Sequence, residues 1–301
     1  MMFKKVCIIG CGLIGSSIAR AAKKNNLSEI IVSSNRSEKI NEKVKALQIV
    51  DESSSDTKKM VTNSDLIIIA TPLSSYESVI LKIKDSLKSG CILTDVGSVK
   101  GTIVDLIEKH IPENVSWIPS HPIAGTEESG PEAGFSELFK NRWCILTPSK
   151  KAKEKDINLL QVFWEKIGSK VDTMEAKKHD HILAITSHMP HLIAYNIVST
   201  SLDIQNEKKS EIVKYSASGL RDFTRIAASN PIMWRDIFIQ NKKNTSELIN
   251  KFIINLEELK KAIENNDGKK LEEIFSKTKE IRKDIVNAGQ DVDKPDFGRK
   301  Q

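Results

Sequence analysis

From Val6 to Ala19 the chain reads "VCIIGCGLIGSSIA", an apolar run ended by Gly10, Gly12 and Gly15 and followed at once by a helix-periodic segment. No other feature constrains the fold as much. Gly10 permits a tight turn, Gly12 lets backbone approach a pyrophosphate, and Gly15 lets helix and strand pack closely. The helix N-terminus, with Leu13 and Ile14 in its first turn, favours an anion. A dinucleotide bound at the first strand-to-helix turn of an α/β domain is therefore expected.

The rest of the first half agrees. The runs "EIIVSS", "DLIIIATP", "GCILTDVG", "VSWIPS" and "RWCILTP" alternate with helix-periodic stretches, the pattern of strands buried on both faces and joined by right-handed crossovers. An α/β Rossmann-type parallel sheet domain is expected over residues 1–150. The Lys-rich "SKKAKEKD" after Pro148 reads as a connection, and beyond one strand at Lys170 to Thr173 the pattern is helical. Residues 151–301 are expected to form an all-helical second domain. Within it, Leu248, Phe252, Leu256, Leu259 and Ile263 make an apolar stripe that either packs in a core or meets another subunit. The final "DVDKPDFGRKQ" reads as an exposed tail.

Composition narrows the partners. A chain of 301 residues with 39% hydrophobic content can hold two ordinary domains. Its net charge of +6 lacks the long single-sign runs of chains that bind nucleic acid or membrane surfaces, so a small anionic substrate is expected and neither of those partners. The cysteines, Cys7, Cys11, Cys91 and Cys144, are too scattered for a disulfide framework or a zinc knuckle. No stretch approaches the roughly 20 apolar residues of a membrane span. A soluble, cytoplasmic protein is expected.

The second strand ends in "SSNRS". Asn35 stands where an acidic residue would bind the ribose hydroxyls of NAD, while Arg36 and Ser37 suit a 2′-phosphate, so NAD or NADP stays open with tolerance for NADP. Later strands end in "ATPLSS" and "TDVGSVKG", which brings Thr71, Pro72 and Ser98 to the ligand crevice. Ser98 either caps a helix starting near Val99 or touches ligand. "SHPIAGTEESG" follows "VSWIPS", so His121 emerges in a turn at the same edge. A histidine with a pKa near ambient can take an alcohol's proton while hydride leaves the same carbon. His181, His188 and His191 are spaced to share one helix face, but about 10 Å of helix separates the first two, so one metal ion cannot bind all three and no metal site is expected. Pro190 is expected to kink that helix.

Four blocks, "IIGCGLIGSS", "TDVGSVKG", "SHPIAGTEESG" with "LFKNRWCILTP", and "SHMPHLIAY" with "GLRDFTRIAASNPIMWRDI", resemble the prephenate and arogenate dehydrogenases of tyrosine biosynthesis. The resemblance implies a Rossmann domain followed by a helical domain that forms a homodimer, and NAD(P)-dependent oxidative decarboxylation of a cyclohexadienol. It implies His121 as the catalytic histidine and Ser98 as its partner at the substrate hydroxyl. Arg225 is implied as the carboxylate clamp, His188, His191 and Thr126 as pocket residues, and Trp234 as a pocket wall. Glu127, Asp222 and Arg225 resemble an ionic network. With neither a mutase segment nor a regulatory module, a monofunctional enzyme is expected. The rivals are a two-domain hydroxyacid dehydrogenase, which would rely on a helical-domain lysine that no specific block supplies, and a non-catalytic NAD(P)-sensing dimer, which would need neither His121 nor Arg225.

Overall fold

The computed structural model describes residues 1–126, 128–203 and 213–288. The chain divides into two compact units, Met1–Thr245 and Ser246–Gln301.

The first unit is built on a six-stranded sheet of β1 (Phe3–Ile9), β2 (Ser28–Ser34), β3 (Glu52–Ser54), β4 (Leu66–Ile69), β5 (Ile92–Asp95) and β6 (Ser116–Trp117). All neighbours are parallel, in the order β3-β2-β1-β4-β5-β6. The order reverses between β1 and β4, and there the carboxyl ends of the strands open a ligand crevice. Alternation explains the unbroken apolar runs. Val6 and Ile8 of β1 pack with Leu66 and Ile68 of β4 on one face, while Cys7, Ile9, Ile67 and Ile69 pack on the other. Helices α1 (Leu13–Lys24), α2 (Glu38–Ala46), α3 (Thr57–Val61), α4 (Tyr76–Ile83) and α5 (Gly101–Glu108) connect the strands. β3, with the polar sequence Glu-Ser-Ser, has no apolar run to announce it.

A second sheet of β7 (Ser120–Pro122), β8 (Trp143–Leu146) and β9 (Lys170–Thr173) runs β7-β8-β9, with the first pair antiparallel and the second parallel. Two expectations change here. "RWCILTP" belongs to this smaller sheet, and His121 sits in a strand opposite Ile145, not in a turn. The expected boundary at 150 falls between paired strands: Trp143 to Leu146 match Lys170 to Thr173. Helix α6 (Glu154–Lys166) also buries Leu160, Phe163 and Trp164 against Val6 and Ile8, so a break at 150 would cut through a core. The lysines of "SKKAKEKD" mark an exposed turn and helix start, not a linker.

After β9 the chain is helical: α7 (Ala176–Leu183), a π turn (Ala184–His188), α8 (Met189–Asp203), α9 (Ser218–Ala227), α10 (Pro231–Gln240) and α11 (Lys242–Glu264). The second unit comprises the rest of α11 and α12 (Gly268–Asn287), whose N-terminus is capped by Asp267 through Lys270 N at 3.0 Å. Among the described residues the apolar stripe is largely uncovered, with Leu248 and Leu259 only half-buried: Leu256 is 53% and Ile263 63% exposed, and α12 adds Phe275 at 56%. The expected tail lies outside the described residues. No helix among them is long and apolar enough to cross a membrane.

Candidate active site

The glycine loop has the shape its spacing predicts. Gly10 adopts φ +97°, and a Cβ there would meet the Ala70 carbonyl oxygen at 2.7 Å. A Cβ on Gly15 would collide with the Gly10 carbonyl, so a side chain at either position would push strand and helix apart. Gly12 differs, with no atom within 4 Å of its missing Cβ. It is the N-cap of α1 and supplies no side-chain cap, leaving the first-turn N–H groups for an outside anion. An open cradle between two crowded glycines fits a dinucleotide pyrophosphate. Thr71 touches the Gly10 position and its hydroxyl accepts from Ser75 at 2.8 Å, while Pro72 is exposed beside it.

Asn35 does not face the crevice as expected. It is buried: its Oδ1 accepts from Cys11 N at 2.6 Å and its amide donates to Asn41 Oδ1 at 3.0 Å. Arg36, the next residue, is exposed and has no side-chain partner among the described residues.

At the carboxyl end of β5 the sheet holds a chain of buried polar groups. His121 Nδ1 lies 2.8 Å from His179 Nε2, and His179 Nδ1 lies 2.9 Å from Asp180 Oδ1. One proton arrangement satisfies both contacts. The carboxylate accepts from His179 Nδ1–H, His179 Nε2 then accepts from His121 Nδ1–H, and His121 Nε2 is left with a lone pair. The same carboxylate accepts from Lys100 N and Gly101 N, both at 2.7 Å, and so fixes the start of α5. Ser98 therefore does not cap that helix; it lies in the tight segment before it. That segment is held from below by Asp95, whose Oδ2 accepts from Gly97 N at 2.8 Å and pairs with Lys100 Nζ at 2.5 Å. Lys100 and Asp95 are both fully buried. Burial lowers the affinity of Lys100 for its proton, and the Asp95 carboxylate opposes that effect.

The imidazoles are neutral at physiological pH. Burial, and then the neighbouring His179, Lys100 and His188, hold His121 well below the ordinary histidine range, lower than the near-ambient value expected from sequence. His179 is also lowered by burial, against the opposing pull of Asp180. His188 is lowered to about 4, chiefly by burial. Asn241 donates to His188 Nδ1 at 3.1 Å, which puts the proton on Nε2, a buried atom without a hydrogen-bond partner of good geometry. His191 donates from Nδ1 to Ser187 O at 2.9 Å and stacks on Trp234, ring centroids 3.7 Å apart. Trp234 is buried and packs edge-on to His188 as well.

The three histidines do not share a face. The π turn Ala184–His188 shifts the register ahead of Pro190, so His181 is exposed while His188 is buried. The π turn directly precedes Pro190, which has no N–H to give to the ladder. Arg225 also departs from expectation. Its apolar neighbours in sequence suggested a sheltered face, yet α9 buries no residue and the Arg225 side chain is 62% exposed, 4.0 Å from Asp222. Burial lowers the proton affinity of His191, and the charge of Arg225 adds to that effect. Thr126 is exposed, its hydroxyl accepting from Glu128 N at 3.2 Å. Glu127 lies outside the described residues.

Residues 18–173 match the family model described as prephenate dehydrogenase, nucleotide-binding domain, and residues 175–277 the one described as prephenate dehydrogenase, dimerization domain. Over 281 residues the chain is 37% identical to the cyclohexadienyl dehydrogenase of Zymomonas mobilis subsp. mobilis, covering 93% of this chain and 96% of the relative. The chain belongs to the prephenate dehydrogenase family. It is similarly 30% identical to the prephenate dehydrogenase of Bacillus subtilis, over 92% of this chain and 75% of that one. Among solved structures it resembles prephenate dehydrogenase from Aquifex aeolicus in complex with hydroxyphenyl propionate and NAD+, with TM-score 0.86 and 32% identity over 94% of this chain and 98% of that one. Membership of the prephenate dehydrogenase family makes the chain an NAD(P)-linked oxidoreductase.

In this family member, sequence reasoning passed over Asp95, Lys100, His179, Asp180 and Asn241. The run His179-Asp180-His181 carried the available signal, a histidine beside a carboxylate. His181 drew attention because it matched the seven-residue spacing to His188, but His179 is the one turned inward.

Proposed function

We propose that this chain catalyses the oxidative decarboxylation of prephenate to 4-hydroxyphenylpyruvate, or of arogenate to tyrosine, in tyrosine biosynthesis. The observation that carries the reading is the buried run from Asp180 through His179 to His121, which leaves a lone pair on His121 Nε2 beside the glycine-loop crevice. An alcohol-oxidising site needs such a base, uncharged before the reaction begins.

The nicotinamide ring, when bound, supplies the hydride acceptor. His121 Nε2 takes the proton of the C4 hydroxyl as the C4–H bond gives up its hydride. The bond from C1 to the ring carboxylate breaks, carbon dioxide departs, and the electron pair left behind makes the ring an aromatic phenolate, which takes the proton back from His121. Asp180 favours this step because the imidazolium formed on His121 can share its charge along the run toward a carboxylate. Ser98 is our candidate for the second contact at the hydroxyl, since Asp95 and Asp180 clamp its segment on both sides. Arg225 is the candidate carboxylate clamp: an exposed planar guanidinium can hold a carboxylate through two parallel hydrogen bonds. His188 Nε2–H, which makes no hydrogen bond of good geometry and lies near the Ser98 backbone, is the candidate donor to substrate or cofactor. Thr126, His191 and Trp234 complete the proposed pocket, and Asp222 holds Arg225.

The sheet domain is taken to end at Thr173, after the last strand of the second sheet, with the helical domain starting at Ala176. The exposed stripe of α11 and α12 supports a homodimer through that domain. Four buried, unpaired cysteines suit a reducing cytoplasm.

Reduction of NAD and of NADP by the purified protein, with prephenate and with arogenate, tests the reading. Turnover that falls by about 100-fold or more in His121→Asn supports it, the usual worth of a general base. Folded, cofactor-binding protein with no turnover on either substrate would overturn it.

A further inference from the structure

We infer that Asn241 is a positioning residue for the proposed reaction: it holds the His188 ring as a fixed N–H donor toward a ligand oxygen, the reverse of the tautomer that makes His121 a base. The inference rests on the dehydrogenase reading above. Asn241 is buried at the junction of α10 and α11, and its main chain is tied to both helices. Its N–H donates to Ile237 O at 2.9 Å, and its carbonyl accepts from the Thr245 hydroxyl at 2.9 Å. The side chain has one acceptable orientation. Nδ2 lies 2.8 Å from Asp180 O, a carbonyl that can only accept, while Oδ1 accepts from Asn244 Nδ2 at 2.8 Å. Turning the amide over would set two oxygens against each other. The second hydrogen of Nδ2 then goes to His188 Nδ1 at 3.1 Å, so that ring atom must be the acceptor.

Asp180 therefore sets two rings in opposite senses. Through its carboxylate and His179 it places the His121 proton on Nδ1; through its main-chain carbonyl and Asn241 it places the His188 proton on Nε2. One ring offers a lone pair and the other an N–H, and neither can change roles without breaking a buried hydrogen bond. His188 Nε2 lies near the Ser98 backbone and makes no hydrogen bond of good geometry, which puts the donor beside the segment proposed to meet the substrate hydroxyl. An N–H fixed there holds a carbonyl or carboxylate oxygen and turns away a second donor.

Proton–nitrogen correlation spectra of protein carrying isotope-labelled histidine read the tautomer of each ring, with His188→Gln identifying the His188 signals. The wild type at neutral pH should carry the His188 proton on Nε2. Asn241→Asp has the same shape but an acceptor in place of the donor. It should move the proton to Nδ1 and lower kcat/KM by about 10- to 100-fold, the worth of a buried hydrogen bond turned against its partner. Asn241→Ala leaves the ring free to keep Nε2–H and should cost less; a residue that only fills space would give the reverse order. Beside His188→Gln, Asn241→Asp should cost less than about threefold more. A wild-type His188 proton on Nδ1 would overturn the inference. So would Asn241→Ala losing as much activity as Asn241→Asp, or an undiminished cost of Asn241→Asp beside His188→Gln. The spectrum is taken without substrate, so failure of the dehydrogenase reading is seen separately. Protein with the expected tautomer that turns over neither prephenate nor arogenate would bring down that reading and uphold the hold of Asn241 on the ring.

Discussion

Replacing His179 with leucine removes the only acceptor for His121 Nδ1–H among the described residues, a contact of 2.8 Å between two buried rings. Two outcomes are open to His121, and both cost activity. It can keep its proton on Nδ1 with no partner, at about 1–3 kcal/mol for a buried unsatisfied donor. It can instead move the proton to Nε2, which abolishes the lone pair proposed to act as the base. Either way kcat should fall by about 100- to 10,000-fold, the range for loss of a positioned general base. Dissociation constants for the dinucleotide should change less than about threefold, because the glycine cradle shares no group with the histidine run. Initial rates followed by absorbance of the reduced cofactor, with direct cofactor titration, give both numbers. The decisive comparison is the double variant. If His179 acts only through His121, then His121→Asn with His179→Leu should be no slower than His121→Asn alone. A His179→Leu enzyme that folds and keeps kcat within about threefold of wild type would refute the proton assignment.

Histidines kept neutral by burial make the fold acid-sensitive. His188 has a folded pKa of about 4, against an ordinary 6.5, and His121 is displaced in the same direction. The unfolded chain therefore binds more protons than the native one as the pH drops below 6.5. Stability should be fully present above that value and fall toward about pH 4 by up to about 1.4 kcal/mol per pH unit per histidine, read from denaturant midpoints. A flat profile across that window would contradict the burial argument. Lys100→Met should cost about 3–5 kcal/mol, because it strands the buried Asp95 carboxylate, and a loss under about 1 kcal/mol would show that Asp95 finds another partner. Leu256→Asp should shift the protein to a monomer in sedimentation while leaving the circular dichroism of the sheet domain unchanged; a persisting dimer would place the interface elsewhere.

The sheet was legible because its cause is local: the central strands are apolar on both faces, and the turns after β1, β4, β5 and β6 carry a glycine or proline. β3 escaped because three polar residues pair there without a hydrophobic run. The cradle was legible because Gly10, Gly12 and Gly15 are close in sequence and each has a steric reason. His121 was found from its place after a strand, but its partner was not, since 58 residues separate it from His179. Asp95 and Lys100 are close in sequence, yet nothing local shows that a Lys and an Asp five apart are fully buried. Arg225 failed in the opposite sense. Apolar residues beside it suggested shelter, but a helix that buries none of its side chains gives its arginine none.

The two carboxylate oxygens of Asp180 have one further consequence. They cap α5 from a residue 80 positions away in sequence, while the adjoining His179 completes His121 on β7. Homology marks a seam between residues 173 and 175, and the hydrogen bonds that matter most cross it. A fragment stopping at the seam would expose the N-terminus of α5 and leave His121 without its partner. The halves are therefore coupled: a helical half grafted from a relative should restore a working sheet half only if it brings a histidine followed by an aspartate to that one spot.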